Sequence, residues 1–269
     1  PLIIFSLAIG LIGLIEDLSQ NINSIARLYS MLVLVAISLY FSPELIPHNL
    51  ILFKFIGSNN LFILIYLFTI IMVCGFINAG NMADGANGLL AYIILAFFIV
   101  LYSIDQSVLN FSIVITLLAF IIFNTSTGKI FLGDFGAYFL SSLVAFKSLE
   151  LYSNQQISVF FLATILIYPC FELTRSLLIR TMRSVSVLSP DNDHFHNYVN
   201  TLLLTNGFKK HISNSITGLG IAFLTTIIPV TLYFSGVSIN SELWKMLFLI
   251  ELIMLTFIYI LFEKNSQGN

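Results

Sequence analysis

Leu61-Phe62-Ile63-Leu64-Ile65-Tyr66-Leu67-Phe68-Thr69-Ile70-Ile71-Met72-Val73-Cys74-Gly75-Phe76-Ile77 is an uncharged run that leads straight into Asn78-Ala79-Gly80-Asn81-Met82-Ala83-Asp84-Gly85-Ala86-Asn87-Gly88-Leu89. The first stretch is long enough to cross bilayer hydrocarbon as a helix, which takes about 17–25 apolar residues. The second sets four polar side chains and three glycines among eleven positions, 78–88. A helix–helix turn uses Asn, Asp and Gly too, but about three or four suffice. Oxygen-bearing side chains suit a hard cation such as Mg2+. The glycines let backbone approach a ligand closely. A membrane helix ending in a metal- and phosphate-handling segment is therefore the starting expectation.

The rest of the chain agrees. Of 269 residues, 58% are hydrophobic and 9% are Asp, Glu, Lys or Arg, and the mean hydropathy is +0.98. Soluble domains carry roughly 25% charged residues, so the bilayer is the expected solvent. The net charge of -2 gives no footing for nucleic acid. Cys74 and Cys170 lie in apolar runs and read as small buried hydrophobes, with no disulfide between them. No cleavable signal peptide is visible, and Pro1 already stands inside an apolar run, so an upstream segment is expected. Nine apolar runs are legible: 1–15, 28–42, 61–77, 87–103, 111–124, 135–151, 157–173, 213–235 and 243–262. The expected fold is an all-α, polytopic transmembrane helix bundle forming one membrane domain over 1–269, with a cytoplasmic substrate-binding loop at 174–212. With alternating connectors, Arg27, Lys129, Arg175, Arg180, Arg183, Lys209, Lys210 and Lys264 share one face, against Lys54, Lys147 and Lys245 on the other. The face with more basic residues is assigned to the cytoplasm. Glu16, Asp17, Asn78, Asn81, Asp84, Asn87, Asn124, Lys129, Asp134, Asp191, Asp193, His194 and His196 all fall on that face. Their grouping points to one active site there.

Four constellations carry the chemistry. Gly13-Leu14-Ile15-Glu16-Asp17-Leu18 closes the first span with adjacent carboxylates, and taken alone it reads first as an ordinary helix end in water. Asn78 to Leu89 is the segment above. In Asn124-Thr125-Ser126-Thr127-Gly128-Lys129-Ile130-Phe131-Leu132-Gly133-Asp134-Phe135-Gly136, Asp134 caps a helix start. It serves equally as a metal ligand near a phosphate held by Lys129, and the stretch is not a Walker A loop. The fourth runs from Pro169 through Glu172, Arg175, Arg180 and Arg183 to Pro190-Asp191-Asn192-Asp193-His194-Phe195-His196-Asn197. Juxtamembrane arginines commonly just meet anionic lipid, but Arg also grips phosphate through paired hydrogen bonds. His194 and His196 lack a third well-spaced zinc ligand, so substrate contact is the preferred reading.

These motifs, in this order, resemble the polyprenyl-phosphate N-acetylhexosamine-1-phosphate transferases, glycosyltransferase family 4, over nearly the whole chain. Gly13 to Asp17 resembles the family's Gly-x-x-Asp-Asp, and Asn78 to Leu89 matches its Asn-x-x-Asn-x-x-Asp-Gly-x-Asn/Asp-Gly-Leu. Asn124 to Gly136 matches Asn-x-x-x-x-Lys-x-x-x-Gly-Asp-x-Gly, and Pro190 to Asn197 resembles Pro-Asp-x-x-His-x-His-His. The resemblance implies an enzyme of the bacterial inner membrane. It would move N-acetylhexosamine-1-phosphate from a UDP-sugar, UDP-GlcNAc by default, to undecaprenyl phosphate with release of UMP, starting cell-wall polysaccharide or lipopolysaccharide O-antigen synthesis. It implies Mg2+ (or Mn2+) held by Asn81 and Asp134, with Asp17, Glu16, Asp134 and Asp84 as the catalytic acids. Asp17 is the candidate base or phosphate-orienting acid. Asn87 is assigned to uracil, Arg27, Lys129 and Asn78 to the nucleotide diphosphate, and His194, His196, Arg175, Arg180 and Asp191 to sugar and phosphate. It also implies two spans ahead of the first motif, and leaves homodimerisation open. The chain departs from the pattern at Glu16 for Asp, Asn197 for His, Glu172 for Asp and Ala137 for Ser. Other readings are a transporter, for which only Glu251 lies mid-span, a CDP-alcohol phosphatidyltransferase, whose Asp-x-x-Asp-Gly-x-x-Ala-Arg is absent, and an inactive relative.

Single cysteines placed at positions 82, 128 and 186 are expected to resist membrane-impermeant maleimide added outside sealed cells. Strong labelling at any of the three would overturn the assigned face.

Overall fold

The computed structural model describes residues 2–19, 23–47, 58–186 and 193–267. Among them there is no strand, and the described parts of the nine expected apolar runs lie mostly on helix. The helices are α1 (Leu2–Ser19), α2 (Ser24–Phe41), α3 (Ser58–Ala83), α4 (Leu89–Ile104), α5 (Val108–Thr127) and α6 (Gly133–Ser153). They continue as α7 (Val159–Ile165), α8 (Ile167–Met182), α9 (Phe195–Thr205), α10 (Lys210–Phe234) and α11 (Leu243–Gln267). By length and composition α1, α2, α3, α5, α10 and α11 qualify as membrane spans, and α7 with α8 makes up to 7. The protein is thus a multi-pass membrane protein. The chain divides into two compact units, residues 1–81 with 132–158, and residues 82–131 with 159–269.

In the first unit, α1 packs along α6. The buried face of α1 is Ser6, Ile9, Gly10 and Gly13, and that of α6 includes Gly136, Ala137 and Ser141. Small residues at such spacing let two helix backbones approach, which is what drives association where lipid is as apolar as the side chains. Contact is closest at Gly13, where a Cβ would overlap the Asp134 carbonyl group. Asn23 caps α2 by accepting from the Ile25 amide at 3.0 Å. Tyr66 of α3 donates to the Ala36 carbonyl of α2 at 2.6 Å.

In the second unit, α4 is apolar on every side and is enclosed by α5, α7 and α10, with Phe97 and Phe98 fully buried. Trp244 of α11 is buried edge-on against Phe161, with ring centroids 4.7 Å apart, and donates to the Ser238 carbonyl at 2.8 Å. The run expected as one span at 157–173 is instead α7 and α8, which meet at an 81° bend. The break has a local cause. Pro169 has no amide proton, and its ring clashes with the carbonyl four residues back, at Ile165, where α7 stops. In the third position of α8 the proline costs no hydrogen bond. The segment 174–212 is largely helical where it is described. Within its described part α8 continues to Met182, α9 occupies Phe195–Thr205, and α10 starts at Lys210. Cys170 is exposed rather than buried, while Cys74 is buried as expected.

Gly13→Val is expected to lower the melting temperature of the detergent-purified protein, because forcing a branched side chain into a packed contact costs about 1–3 kcal/mol. An unchanged thermal unfolding curve would show that α1 and α6 do not need this close approach.

Candidate active site

In the first unit, the end of α1 carries Glu16 and Asp17 to the start of α6. Glu16 is ion-paired with Arg27 of α2 and accepts from the Tyr138 hydroxyl at 3.2 Å. Asp17, the more exposed of the two acids, accepts a long 3.4 Å hydrogen bond from the Phe135 amide. Adjacent helical residues point about 100° apart, which is why the neighbours meet different partners. Gly133 has φ +64°, a left-handed conformation that favours glycine, and a Cβ there would stand 2.9 Å from an Asp17 carboxylate oxygen. Asp134 stands in the first turn of α6, ahead of the apolar stretch 135–151, and Asn81 near the end of α3 hydrogen-bonds its carboxylate. Asn78, one turn earlier, turns its amide back onto the Cys74 carbonyl at 2.8 Å.

The electrostatics of this group lean toward negative charge. Burial, then Glu16, then Asp17 lift the Asp134 carboxyl from 3.8 to about 6, against the opposing pull of Arg27 and Asn81. Arg27 is already engaged by Glu16, which leaves Asp17 and Asp134 as the charges to be neutralised. Among the described residues, no three Asp, Glu, His or Cys side chains form a closed metal cage. Mg2+ does not require one. It binds through one or two carboxylates and shares its remaining positions with water and phosphate oxygens. A carboxylate with a raised pKa beside a second carboxylate and an amide fits such an ion.

In the second unit, two polar groups form. The first follows α3. Asp84 sits half-buried in the turn, and Asn87 is buried, its amide donating to Ser215 of α10 at 3.1 Å and accepting from Asn214 at 3.1 Å. Asn124, near the C-terminal end of α5, donates to the Ile130 carbonyl, and Gly128 closes the helix on the Asn124 carbonyl at 2.7 Å. This turn presents Lys129, which is exposed.

The second group centres on Glu172 of α8, which has 0% exposure. One carboxylate oxygen accepts from the Tyr168 hydroxyl at 3.3 Å and the Phe195 amide at 2.8 Å. The other meets Arg175 at 3.2 Å and His194 Nδ1 at 3.1 Å. Arg175 also donates to the Asp193 carbonyl, and Arg183 pairs with the Asp193 side chain at 2.6 Å. The His194 and His196 rings stack 5.3 Å apart. His196 Nδ1 lies 3.1 Å from the Tyr168 hydroxyl, and its ring occupies the place of a Cβ at Gly85. Burial pushes His196 down to about 4, so it is neutral near pH 7. Arg175 and Arg183 line an apolar pocket of about 980 Å³ between α8 and α11, together with Cys170, Leu178, Phe248 and Leu252. Arg180 is partly exposed on α8 and is not among its lining residues.

The structure therefore brings Glu16, Asp17, Arg27, Asn81 and Asp134 together in the first unit. In the second it joins Arg175, His194 and His196, with Asn87 in a separate network. Asp191 lies outside the described residues. The hub Glu172 was not among the expected site residues. Its signal was an acid placed three residues before Arg175 in a strongly apolar stretch, where an unpaired charge is untenable.

The model of Glycosyl transferase family 4 matches residues 1–152. A Kosmotoga olearia phospho-N-acetylmuramoyl-pentapeptide-transferase is 30% identical over 154 residues, covering 54% of this chain and 50% of the relative. A Dictyoglomus thermophilum protein of the same name is 27% identical, covering 69% and 63%. A Thermotoga maritima undecaprenyl-phosphate alpha-N-acetylglucosaminyl 1-phosphate transferase is 26% identical, covering 73% and 60%. The matches span between half and under two thirds of these relatives' lengths.

A raised carboxyl pKa disfavours the ionised fold, and this adverse contribution is full at pH 7 and fades as pH falls through 6. Asp134→Asn should therefore melt higher than the parent at pH 7 in EDTA, whereas added Mg2+ should stabilise the parent and not the variant. A parent protein whose melting is indifferent to Mg2+ would remove the cation from this group.

Proposed function

The chain belongs to glycosyl transferase family 4, and from that premise we propose that it transfers N-acetylhexosamine-1-phosphate from a UDP-sugar to a membrane polyprenyl phosphate, releasing UMP. The observation that carries this reading is the group of Glu16, Asp17, Asp134 and Asn81, whose charges fit a diphosphate-bridging cation. Held by Asp134 and Asn81, Mg2+ (or Mn2+) would neutralise diphosphate charge as the reaction proceeds.

The chain's own residues do the rest. Among the described residues Asp17 has a long hydrogen bond from the Phe135 amide, and it is the acid assigned to the acceptor. It takes up or orients the proton of the lipid phosphate, whose oxygen attacks the sugar-side phosphorus of the UDP-sugar. The bond to the uridine-side phosphate breaks, and UMP departs. Glu16, tied to Arg27 and Tyr138, holds the Arg27 guanidinium in place toward the diphosphate. In the second unit, Lys129 is assigned to the nucleotide diphosphate and Asp84 to the catalytic acids. Glu172 orients His194 and Arg175 toward sugar and phosphate. The apolar pocket between α8 and α11 is of a size for an isoprenoid chain, with Arg175 and Arg183 in its wall for the phosphate head. The membrane is the bacterial inner membrane, with the polar groups on its cytoplasmic face.

Purified full-length protein incubated with undecaprenyl phosphate and a panel of UDP-sugars is expected to release UMP with at least one N-acetylhexosamine donor. Asp17→Asn should lose at least about 100-fold in turnover, the scale of an acid–base or positioning group. Glu16→Gln should lose less, and Glu16→Asp should stay active. No UMP with any donor would remove the activity; a live Asp17→Asn beside a dead Glu16→Gln would reverse the two roles.

A further inference from the structure

The turn between α9 and α10 is uncovered and apolar. Every residue from 201 to 210 except Leu203 is exposed. The exposed set includes Leu202, Leu204 and Phe208, the last at 44%. A surface facing water rarely gathers large apolar side chains with nothing over them. Lys209 and Lys210 follow at once, and no acidic residue occurs between Asp193 and Glu242. Helix stability does not explain the pair. Lysines at a helix start oppose the dipole, and α10 has no acid in its first turn and no side-chain cap. An apolar tip flanked by lysines matches a surface that is negative on top and apolar beneath.

The depth of this tip follows from α10. Ile212, Ile216, Leu219 and Phe223 are exposed and form one stripe along the helix. Ser213, Thr217 and Ile221 are buried on the other side. The stripe is the lipid face of a membrane span, and Phe208, four residues before Ile212, stands at its head. α10 has 25 residues, more than the about 20 that hydrocarbon requires. Counted from Phe234 at the far end, the hydrocarbon stops near residue 215. The tip at 208–210 then stands about 10 Å further out, at the level of the lipid headgroups.

We propose that the α9–α10 turn is an interfacial anchor for an anionic leaflet. Leu202, Leu204 and Phe208 sink between headgroups, and Lys209 and Lys210 meet lipid phosphates. Lysines beside a span commonly meet such lipid; what this tip adds is apolar grip and a connection inward. α9 has 11 residues, starts where the Phe195 amide bonds Glu172, and carries His196 in its first turn. Ser213 of α10 donates to the Asn200 carbonyl of α9 at 2.9 Å. A tip held by lipid therefore steadies the helix on which His196 stands and which His194 precedes.

The test is independent of the proposed transfer reaction. Full-length protein is placed in nanodiscs of phosphatidylcholine, with or without phosphatidylglycerol, and acyl-brominated lipid serves as quencher. Trp244 is the chain's single tryptophan and is buried, so Phe208→Trp adds a reporter read as the difference from the parent. With phosphatidylglycerol its emission should be blue-shifted and quenched by the brominated lipid. Adding Lys209→Gln and Lys210→Gln should cut the docked-to-free ratio roughly tenfold or more, the scale of two lysines at an anionic surface. High salt should act in the same direction. Backbone hydrogen exchange across 195–205 should be slower with phosphatidylglycerol than without it. That difference should vanish in the double-lysine variant, while 89–104 exchanges as in the parent. Unquenched, water-exposed emission in both lipids would overturn the anchor and leave the tip to a soluble partner. Quenching that ignores both phosphatidylglycerol and the lysine changes would overturn the anionic leaflet as its target. Exchange across 195–205 that is indifferent to lipid would cut the tip off from the histidines.

Discussion

A carboxylate withdrawn from water beside hydrocarbon has to be neutralised, because its desolvation outweighs most single contacts that a protein offers. This chain has few charges to spend, and its buried acids show two solutions. Glu172 is satisfied entirely from within, by an arginine, a histidine, a tyrosine and a backbone amide. Asp134 is not. Its neighbours Glu16 and Asp17 push the same way as burial, and Arg27, which opposes them, is engaged by Glu16.

The two solutions divide the labour. The Glu172 group is a rigid support. It fixes the start of α9 through the Phe195 amide and sets the ring of His194 through Nδ1. Beside it His196 is kept neutral by burial, against the opposing pull of Glu172, with its ring against Gly85. The Asp134 group is held by close backbone approach as well as by the pairing of Glu16 with Arg27 and of Asp134 with Asn81. Gly13 and Gly133 bring α1 against the first turn of α6, and the acids converge because no Cβ keeps the helices apart. Close approach of helix backbones is inexpensive in a membrane, where small residues at an interface are the ordinary means of packing. The same device recurs at Gly218, where α10 closes on Asn87.

The helical, membrane-spanning architecture was legible from composition and from the length of the apolar runs, since neither depends on what a run packs against. The acids, amides and glycines of 13–17, 78–89 and 124–136 also stood out locally, as polar residues at hydrocarbon edges that need a reason to be there. Other features resisted. The bend at Pro169 was visible as a residue but not as an 81° turn, because a proline kinks, breaks or begins a helix according to what receives the chain beyond it. Glu172 looked like one polar residue in an apolar stretch, and its four partners come from positions as distant as 195.

By itself, the sequence determined that this is a multi-pass helical membrane protein whose polar motifs match one family, because hydrophobic length and local residue chemistry are written residue by residue. Only the tertiary structure decided which acid is paired and which is exposed. Glu16 and Asp17 are adjacent and chemically alike, yet a turn of about 100° gives Arg27 and Tyr138 to one and the Phe135 amide to the other. It likewise decided that Asn87 is held from both ends by residues more than 120 positions away. Charge state and hydrogen-bond direction depend on neighbours in space, and no spacing along the chain encodes them.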